Sequence, residues 1–298
     1  MMSNLDDEFD ATLITGPTAS GKSALALRLA RDRDGVVINA DSMQVYDTLQ
    51  VLTARPSADE MEGVPHHLYG HVPASRLYST GEWLREITAL LETLRSERRH
   101  PVIVGGTGLY FKALTGGLSD MPTIPTDIRE RYRIRLVEEG PSGLYDELAA
   151  RDPQTASSLK PSDGQRIVRA LEIVEATGQS IRTFQNASGP VIIDPTRARK
   201  FVVLPDRAVL HDRINKRFSG MMQSGAVEEV KALMALDLPP DATALKAIGV
   251  SQIAEMLAGR MGEAEVIEKA AAATRQYAKR QMTWCRNQMG DGWERVVP

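Results

Sequence analysis

Gly16-Pro17-Thr18-Ala19-Ser20-Gly21-Lys22-Ser23 decides the fold. It follows a short apolar, β-prone run, Ala11 to Thr15, and precedes a run of good helix formers, Ala24 to Arg31. The spacing is G-x-x-x-x-G-K-[ST], placed between a strand and a helix. Its glycines let the backbone curl so that successive N–H groups point inward. Those amides, the helix N-terminus and Lys22 form a cradle for a di- or triphosphate, and Ser23 is placed to hold Mg²⁺. A chance glycine turn would not bring strand and helix with it. The motif names a phosphate, not the molecule that carries it.

Further along the chain, Val36 to Asn39 reads as a second buried strand and Pro101 to Val104 as a third. Between them, Gly81 to Arg99 reads as an amphipathic helix, with Trp83, Leu84, Ile87, Leu90, Leu91 and Leu94 on one face. Another helix begins at Leu109. Strands alternating with helices predict an α/β fold: a P-loop NTPase-like parallel sheet flanked by helices. Ser119 to Pro125 is linker-like, with two prolines. Helices are expected at 127–140, 143–151 and 163–177, the last stopped by Gly178. Lys200 to Leu204 returns to the sheet, and helices are expected at 206–236, 243–257 and 262–287. The expected organisation is a core domain, 1–119 with 196–298, interrupted by an all-helical insertion at 120–195.

The 298 residues leave room for two domains. At 42% hydrophobic and 25% charged, the composition excludes global disorder. The net charge is −3, so any nucleic-acid contact must be local. A single cysteine, Cys285, allows no internal disulfide and fits a reducing, cytoplasmic setting. Met1 to Asp10 carries four acids and no base, the wrong sign for a targeting peptide, and no apolar run approaches a membrane span.

Several other residues bear on chemistry. Asp41-Ser42 follows the second strand, where a carboxylate faces the ligand crevice of such sheets. It suits a general base or a Mg²⁺ ligand, and equally the cap of a turn. Gly105-Gly106-Thr107-Gly108 follows the third strand and is either a tight turn or a loop that puts the Thr107 hydroxyl in that crevice. His66-His67, without a third ligand at metal spacing, reads as a polar loop. Arg129, Arg131, Arg133 and Arg135 crowd the insertion, and Arg166 and Arg169 share a helix face. From Lys269 to Arg286 there are five basic residues and no acid, with Arg275, Lys279 and Arg286 on one face and Tyr277 and Trp284 on another. These arginines read as solvated surface or as a phosphate-backbone track, and charge alone favours the surface.

Taken together the blocks resemble the tRNA dimethylallyltransferase family. The match runs through GPTASGKS, DSMQVY at 41–46, TARP at 53–56, GVPHHL at 63–68, VGGTGLYFKAL at 104–114, QRIVRALEI at 165–173 and RQYAKRQMTW at 275–284. The order is the family's and the blocks cover nearly the whole chain. The resemblance implies transfer of a dimethylallyl group from dimethylallyl diphosphate to N6 of adenosine 37, beside the anticodon of tRNA, with Mg²⁺ used and diphosphate released. It implies that Gly16 to Ser23 hold the prenyl diphosphate where a nucleotide-binding enzyme would hold ATP. It implies Asp41 as general base, with Thr107 and Lys22 also catalytic. Asp41, Ser42, Met43, Gln44, Thr107, Arg129, Gln165, Arg166, Ile167, Val168 and Arg169 match positions that touch tRNA. The implied fold is a P-loop core with a helical insertion, and the implied enzyme is a cytoplasmic monomer. The chain departs from the family pattern at Asp47, at Val51-Leu52 and at Lys246 to Ser251, where an expected tyrosine and a basic residue are missing.

Two other readings share part of this evidence. A small-molecule kinase would use the P-loop, Asp41 and an arginine-rich lid at 129–135. An RNA-binding NTPase would use the P-loop without prenyl chemistry. The downstream blocks DSMQVY, GGTGLY and QRIVR separate the prenyltransferase from both.

Overall fold

The computed structural model describes residues 10–186, 189–290 and 292–298. Most of the acidic segment Met1 to Asp10, read above for targeting, lies outside them. The chain divides into two compact units, Met1–Thr115 with Ile192–Pro298, and Gly116–Val191. Among the described residues no helix is long and apolar enough to cross a membrane.

In the first unit, β1 (Ala11–Thr15), α1 (Lys22–Arg31), β2 (Val36–Asn39), β3 (His66–His67), α2 (Thr80–Ser96), β4 (Pro101–Gly105) and α3 (Gly108–Gly116) come first. The second unit contributes α4 (Thr126–Arg151), α5 (Pro153–Ala156), α6 (Gly164–Thr177) and α7 (Ile181–Gln185). The first unit resumes with β5 (Ala198–Val203), α8 (Arg207–Gln223), α9 (Ala226–Met234), a 3₁₀ turn at Thr243–Lys246, α10 (Val250–Leu257), α11 (Glu263–Gln288) and β6 (Glu294–Val296).

The six strands run in the order β3-β2-β4-β1-β5-β6, and every pairing is parallel. β1 pairs with β4 on one side, Leu13 opposite Ile103, and with β5 on the other, Leu13 opposite Lys200. β1, β2 and β4 are buried along their whole length, which explains why they read as continuous apolar runs without alternation. The loops after β1, β2 and β4 all leave at the carboxyl edge, where ligands bind such sheets.

Helix α2 shows how packing sets that edge. Ser79 caps it in a reciprocal box with Glu82. Its apolar face buries Trp83, Ile87, Leu91 and Leu94. The Trp83 ring stacks on Tyr110 at 4.1 Å, and its indole N–H donates to Asn39 O at 2.9 Å. A helix in the core thereby fixes the last residue of β2, two residues before Asp41. Replacing Trp83 with alanine would cost about 3–5 kcal/mol.

The second unit packs α4 against α6 around Tyr132, Leu144, Leu148, Ile167 and Leu171. α4 breaks at Gly140 (φ 72°), followed by Pro141, where the sequence predicted two helices rather than one.

Three expectations need correction. His66-His67 is not a loop but an edge strand, with Val37 opposite His66. The helix expected over 206–236 is broken at Gly225 (φ 104°), and that over 243–257 at Gly249 (φ 103°), giving α8 with α9, and the 3₁₀ turn with α10. β6 was not foreseen.

Candidate active site

The phosphate loop joins β1 to α1, with Gly21 at the helix N-cap (φ 92°). Thr18 to Ala24 line a polar cleft of about 520 Å³, which Asp41, Gln44, Arg213 and Arg217 also face. Lys22 folds back so that its ammonium donates to Pro17 O at 3.3 Å. Crowding strips water from that ammonium and pushes its pKa down to about 8, against the opposing pull of Asp41. Two arginines of α8 close the loop from above: Arg213 Nη1 lies 3.5 Å from Ser20 O, and Arg217 Nη1 lies 3.5 Å from Thr18 Oγ1. Burial lowers the pKa of Arg217 from a value so high that it stays charged.

Asp41 follows β2 in a turn that uses one of its oxygens. Its N–H donates to Asn39 Oδ1 at 2.8 Å, and its Oδ1 accepts from Met43 N–H at 3.0 Å. Buried Asn39 holds the turn from below by donating to Asp41 O and Leu68 O. The turn-cap reading of Asp41 is met, and its place at the crevice leaves the other reading open to it. One oxygen caps a turn, while the carboxylate lines the polar cleft and the cavity beside it.

The Gly105–Gly108 turn lies against the Asp41 turn. A side chain at Gly105 would place its Cβ 2.0 Å from Ala40 O, so only glycine permits this approach. Thr107 ties the two turns together. Its N–H donates to Ala40 O, its hydroxyl accepts from Ser42 N–H at 2.9 Å, and it donates to Ser42 Oγ at 3.2 Å.

A second cavity of about 340 Å³ adjoins the polar cleft. Thr18, Asp41, Thr53, Ala54 and Arg217 line both. The far walls of this cavity are largely apolar: Leu52, Ile214, Phe218, Met221, Ile248 and Tyr277. One wall is the 50–54 segment. The Glu229 carboxylate accepts from the N–H groups of Gln50, Val51 and Leu52 at 2.8, 2.5 and 3.1 Å. Gln44 Nε2 donates to Thr53 O and Ala54 O, both at 2.9 Å. The arrangement offers an anion cradle at one end, an apolar chamber at the other, and a carboxylate at the junction.

Among the residues singled out from sequence, Thr18 to Ser23, Asp41 and Gln44 meet at the polar cleft, Ser42 and Met43 line the apolar cavity, and Thr107 is bonded to the Ser42 turn. Gly16 and Pro17 shape the loop without lining either space. Arg129 and Gln165 to Arg169 lie in the second unit. There, Ile167 and Val168 are 0% and 7% exposed, so their side chains serve the core and leave contact to Gln165 and Arg166. Arg166 pairs with Asp163, and Arg169 Nη1 reaches the buried Glu172 at 3.2 Å. Arg131 and Arg135 are not a simple solvated face. Arg131 pairs with Glu175, Arg135 with Glu139 and Glu147, and Arg151 joins Glu147 to Glu175, while Tyr132 OH donates to this network. In α11, Arg275 bonds Asn215 and Trp284 packs on Gly108.

The sequence did not single out Arg213 or Arg217; it met Gln281 only within the RQYAKRQMTW block, and Tyr277 there and on a helix face with Trp284. Arg213 and Arg217 are one turn apart on α8, beside buried Ile214 and Phe218, and that i,i+4 repeat on an apolar flank was the available signal.

With this geometry in view, the comparisons with known proteins agree. The IPP transferase family model matches residues 44–288, and the isopentenyl transferase model matches residues 9–69. The tRNA dimethylallyltransferase of Agrobacterium fabrum is 76% identical over 298 residues, all of both chains. That of Rhizobium meliloti is 66% identical, covering 99% of this chain and 98% of its own. Among solved structures, a tRNA isopentenylpyrophosphate transferase of Bacillus halodurans superposes with a TM-score of 0.68 at 33% identity, over 97% of this chain and 89% of that one. A eukaryotic dimethylallyltransferase acting on tRNA gives 0.80 at 26% identity, over 96% and 74%.

Proposed function

Because the chain belongs to the IPP transferase family of tRNA dimethylallyltransferases, we propose that it takes its prenyl group from dimethylallyl diphosphate and attaches it to N6 of adenosine 37, next to the anticodon of tRNA. The enzyme is a prenyltransferase acting on tRNA. In the proposed reading it works as a monomer in the cytoplasm. The observation that carries the choice of donor is the pair of adjoining spaces. The polar cleft suits a diphosphate, and the largely apolar cavity beside it suits a five-carbon allylic chain.

The residues then divide the work. Backbone amides of the loop, Lys22, Arg213 and Arg217 stabilise charge as the diphosphate departs. The adenine amine is a weak nucleophile, and Asp41 at the junction takes its proton as the C–N bond forms. Thr107 holds the turn that follows Asp41. The target base must leave the anticodon-loop stack to reach the carbon. Arg129, Gln165 and Arg166 hold the RNA by backbone and shape, while Arg169, bonded to Glu172, orders the helix that carries Gln165 and Arg166.

The residues also fit Mg²⁺. Ser23 faces the polar cleft beside Lys22, and a hydroxyl oxygen is a hard donor of the kind Mg²⁺ takes together with phosphate and water. Ser23 would hold the ion, and it would neutralise charge on the leaving diphosphate.

The test is direct. The protein is incubated with labelled dimethylallyl diphosphate and bulk tRNA, and the RNA is digested to nucleosides. Label in N6-(dimethylallyl)adenosine supports the reading. Label in another nucleoside, or transfer of phosphate from ATP alone, refutes it.

A further inference from the structure

Gln281 lies on α11, 263 residues from the phosphate loop in sequence, yet it touches that loop. Thr18 N–H donates to Gln281 Oε1 at 2.9 Å. The other end of the same amide, Nε2, donates to Gly106 O at 3.1 Å. The side chain is 7% exposed, so both bonds are made where water does not compete freely. A single amide thus joins the loop after β1 to the turn after β4.

We infer that Gln281 is a positioning residue that fixes the separation between the phosphate loop and the Gly105–Gly108 turn, and so the placement of the leaving group relative to Asp41. The inference rests on the prenyl-transfer reading above.

Three observations support it. The first is the amide's fit. A glutamine satisfies a half-buried N–H and a half-buried C=O together, whereas a hydrocarbon of similar size would leave both without that partner. The second is Gly106. A Cβ there would stand 2.2 Å from Gln281 Nε2 and 3.4 Å from Asp41 Oδ2, so the amide and the base flank the same backbone position. The third is Thr18, whose backbone is held by Gln281 while its hydroxyl meets Arg217. A shift of Thr18 would therefore move an arginine of the cleft as well. Gln281 acts through these groups; it lines neither of the two spaces proposed for substrate.

Single-turnover transfer of label from dimethylallyl diphosphate to tRNA tests the inference, with steady-state kcat and KM measured alongside. The proteins are the parent, Gln281→Ala, Gln281→Glu, Gly106→Ala and the Gln281→Ala/Gly106→Ala double variant. Gln281→Ala is expected to lower the rate about 10- to 100-fold, the scale of a misplacement near 1 Å, with both KM values within about threefold. Gln281→Glu keeps the acceptor for Thr18 but sets a carboxylate oxygen against Gly106 O, so it too should lower the rate with KM little changed. It also keeps the test alive if the shorter side chain prevents folding. Gly106→Ala pushes the amide away and should cost about as much as Gln281→Ala. The double variant should be no slower than Gln281→Ala, because the shortened side chain leaves room for the methyl group. A folded Gln281→Ala protein that transfers at the parental rate overturns the inference. So does a rise in KM at unchanged kcat, or losses that multiply in the double variant. A parent that transfers no label to tRNA overturns the prenyl-transfer reading, and this inference with it.

Discussion

Basic residues gather in two regions of this molecule, and the two use their charge in opposite ways. In the cleft of the first unit, among the described residues, the hydrogen bonds of Lys22, Arg213 and Arg217 go to backbone carbonyls or to the Thr18 hydroxyl, with Asp41 nearby but bonded to none of them. In the second unit, Arg131, Arg135, Arg151, Arg166 and Arg169 each pair with a carboxylate. A cation turned toward neutral dipoles keeps its field for an incoming anion. A cation already paired contributes to local order and offers less to a ligand. Density of arginine along the chain therefore says little about where an anion binds. What matters is whether a carboxylate is bonded to the cation.

The largest expected effect breaks the cleft side of this contrast. Lys22→Ala should slow single-turnover transfer by about 10²–10³-fold, the cost of removing one preorganised donor from a developing anion. tRNA binding should persist, as measured by filter retention. The same lysine predicts a pH dependence. Its pKa is lowered to about 8, so below that pH the ammonium is in place for diphosphate, and above it binding must first protonate the amine. Dimethylallyl diphosphate affinity should weaken as pH rises beyond 8, by up to about tenfold per unit, and Lys22→Ala should abolish that slope.

Asp41→Asn comes next. It keeps the bond from Met43 N–H but cannot take a proton, so transfer should fall at least about 10²-fold with both substrates bound within several-fold. Recovery of the parental rate at high Mg²⁺ would instead make Asp41 a metal-organising residue.

On the other side of the comparison, Arg169→Ala strands the Glu172 carboxylate, which is 6% exposed. The expected cost is about 1–3 kcal/mol, read from denaturant unfolding. Arg166 is the contrasting case. Its side chain is 75% exposed and its contact to Asp163 is 3.5 Å, so it remains accessible to RNA. Arg166→Ala should leave stability unchanged and reduce the log–log salt slope of tRNA binding by about 0.7–0.9. An unchanged slope would place Arg166 with the structural arginines.

The sheet was legible because β1, β2 and β4 are buried parallel strands that leave apolar runs in the sequence, and the second half of β5, Phe201 to Val203, does the same. β3 and β6 have two and three residues, too short to show a period, and His66-His67 carries no apolar signature at all. The phosphate loop and Asp41 were legible because their chemistry is local: successive amides, or a carboxylate at the end of a strand. Gln281 and Arg217 were not. Each reaches the site from a helix more than 190 positions away, and only the folded sheet brings them to Thr18. The insertion arginines were visible as a cluster, and pairs three or four residues apart, such as Arg135–Glu139 and Arg169–Glu172, follow helical spacing, whereas Arg135–Glu147 and Arg151–Glu175 do not and needed the fold.

The central claim is that the charges of the cleft are held for a prenyl diphosphate. Thermal unfolding with and without dimethylallyl diphosphate tests it most directly, on the parent, Lys22→Ala and Arg166→Ala. A ligand present at about a hundred times its Kd stabilises the folded state by about 2.7 kcal/mol. A rise in Tm from that stabilisation is expected for the parent and for Arg166→Ala, and its loss for Lys22→Ala at the same concentration. Equal protection of Lys22→Ala and the parent would contradict it.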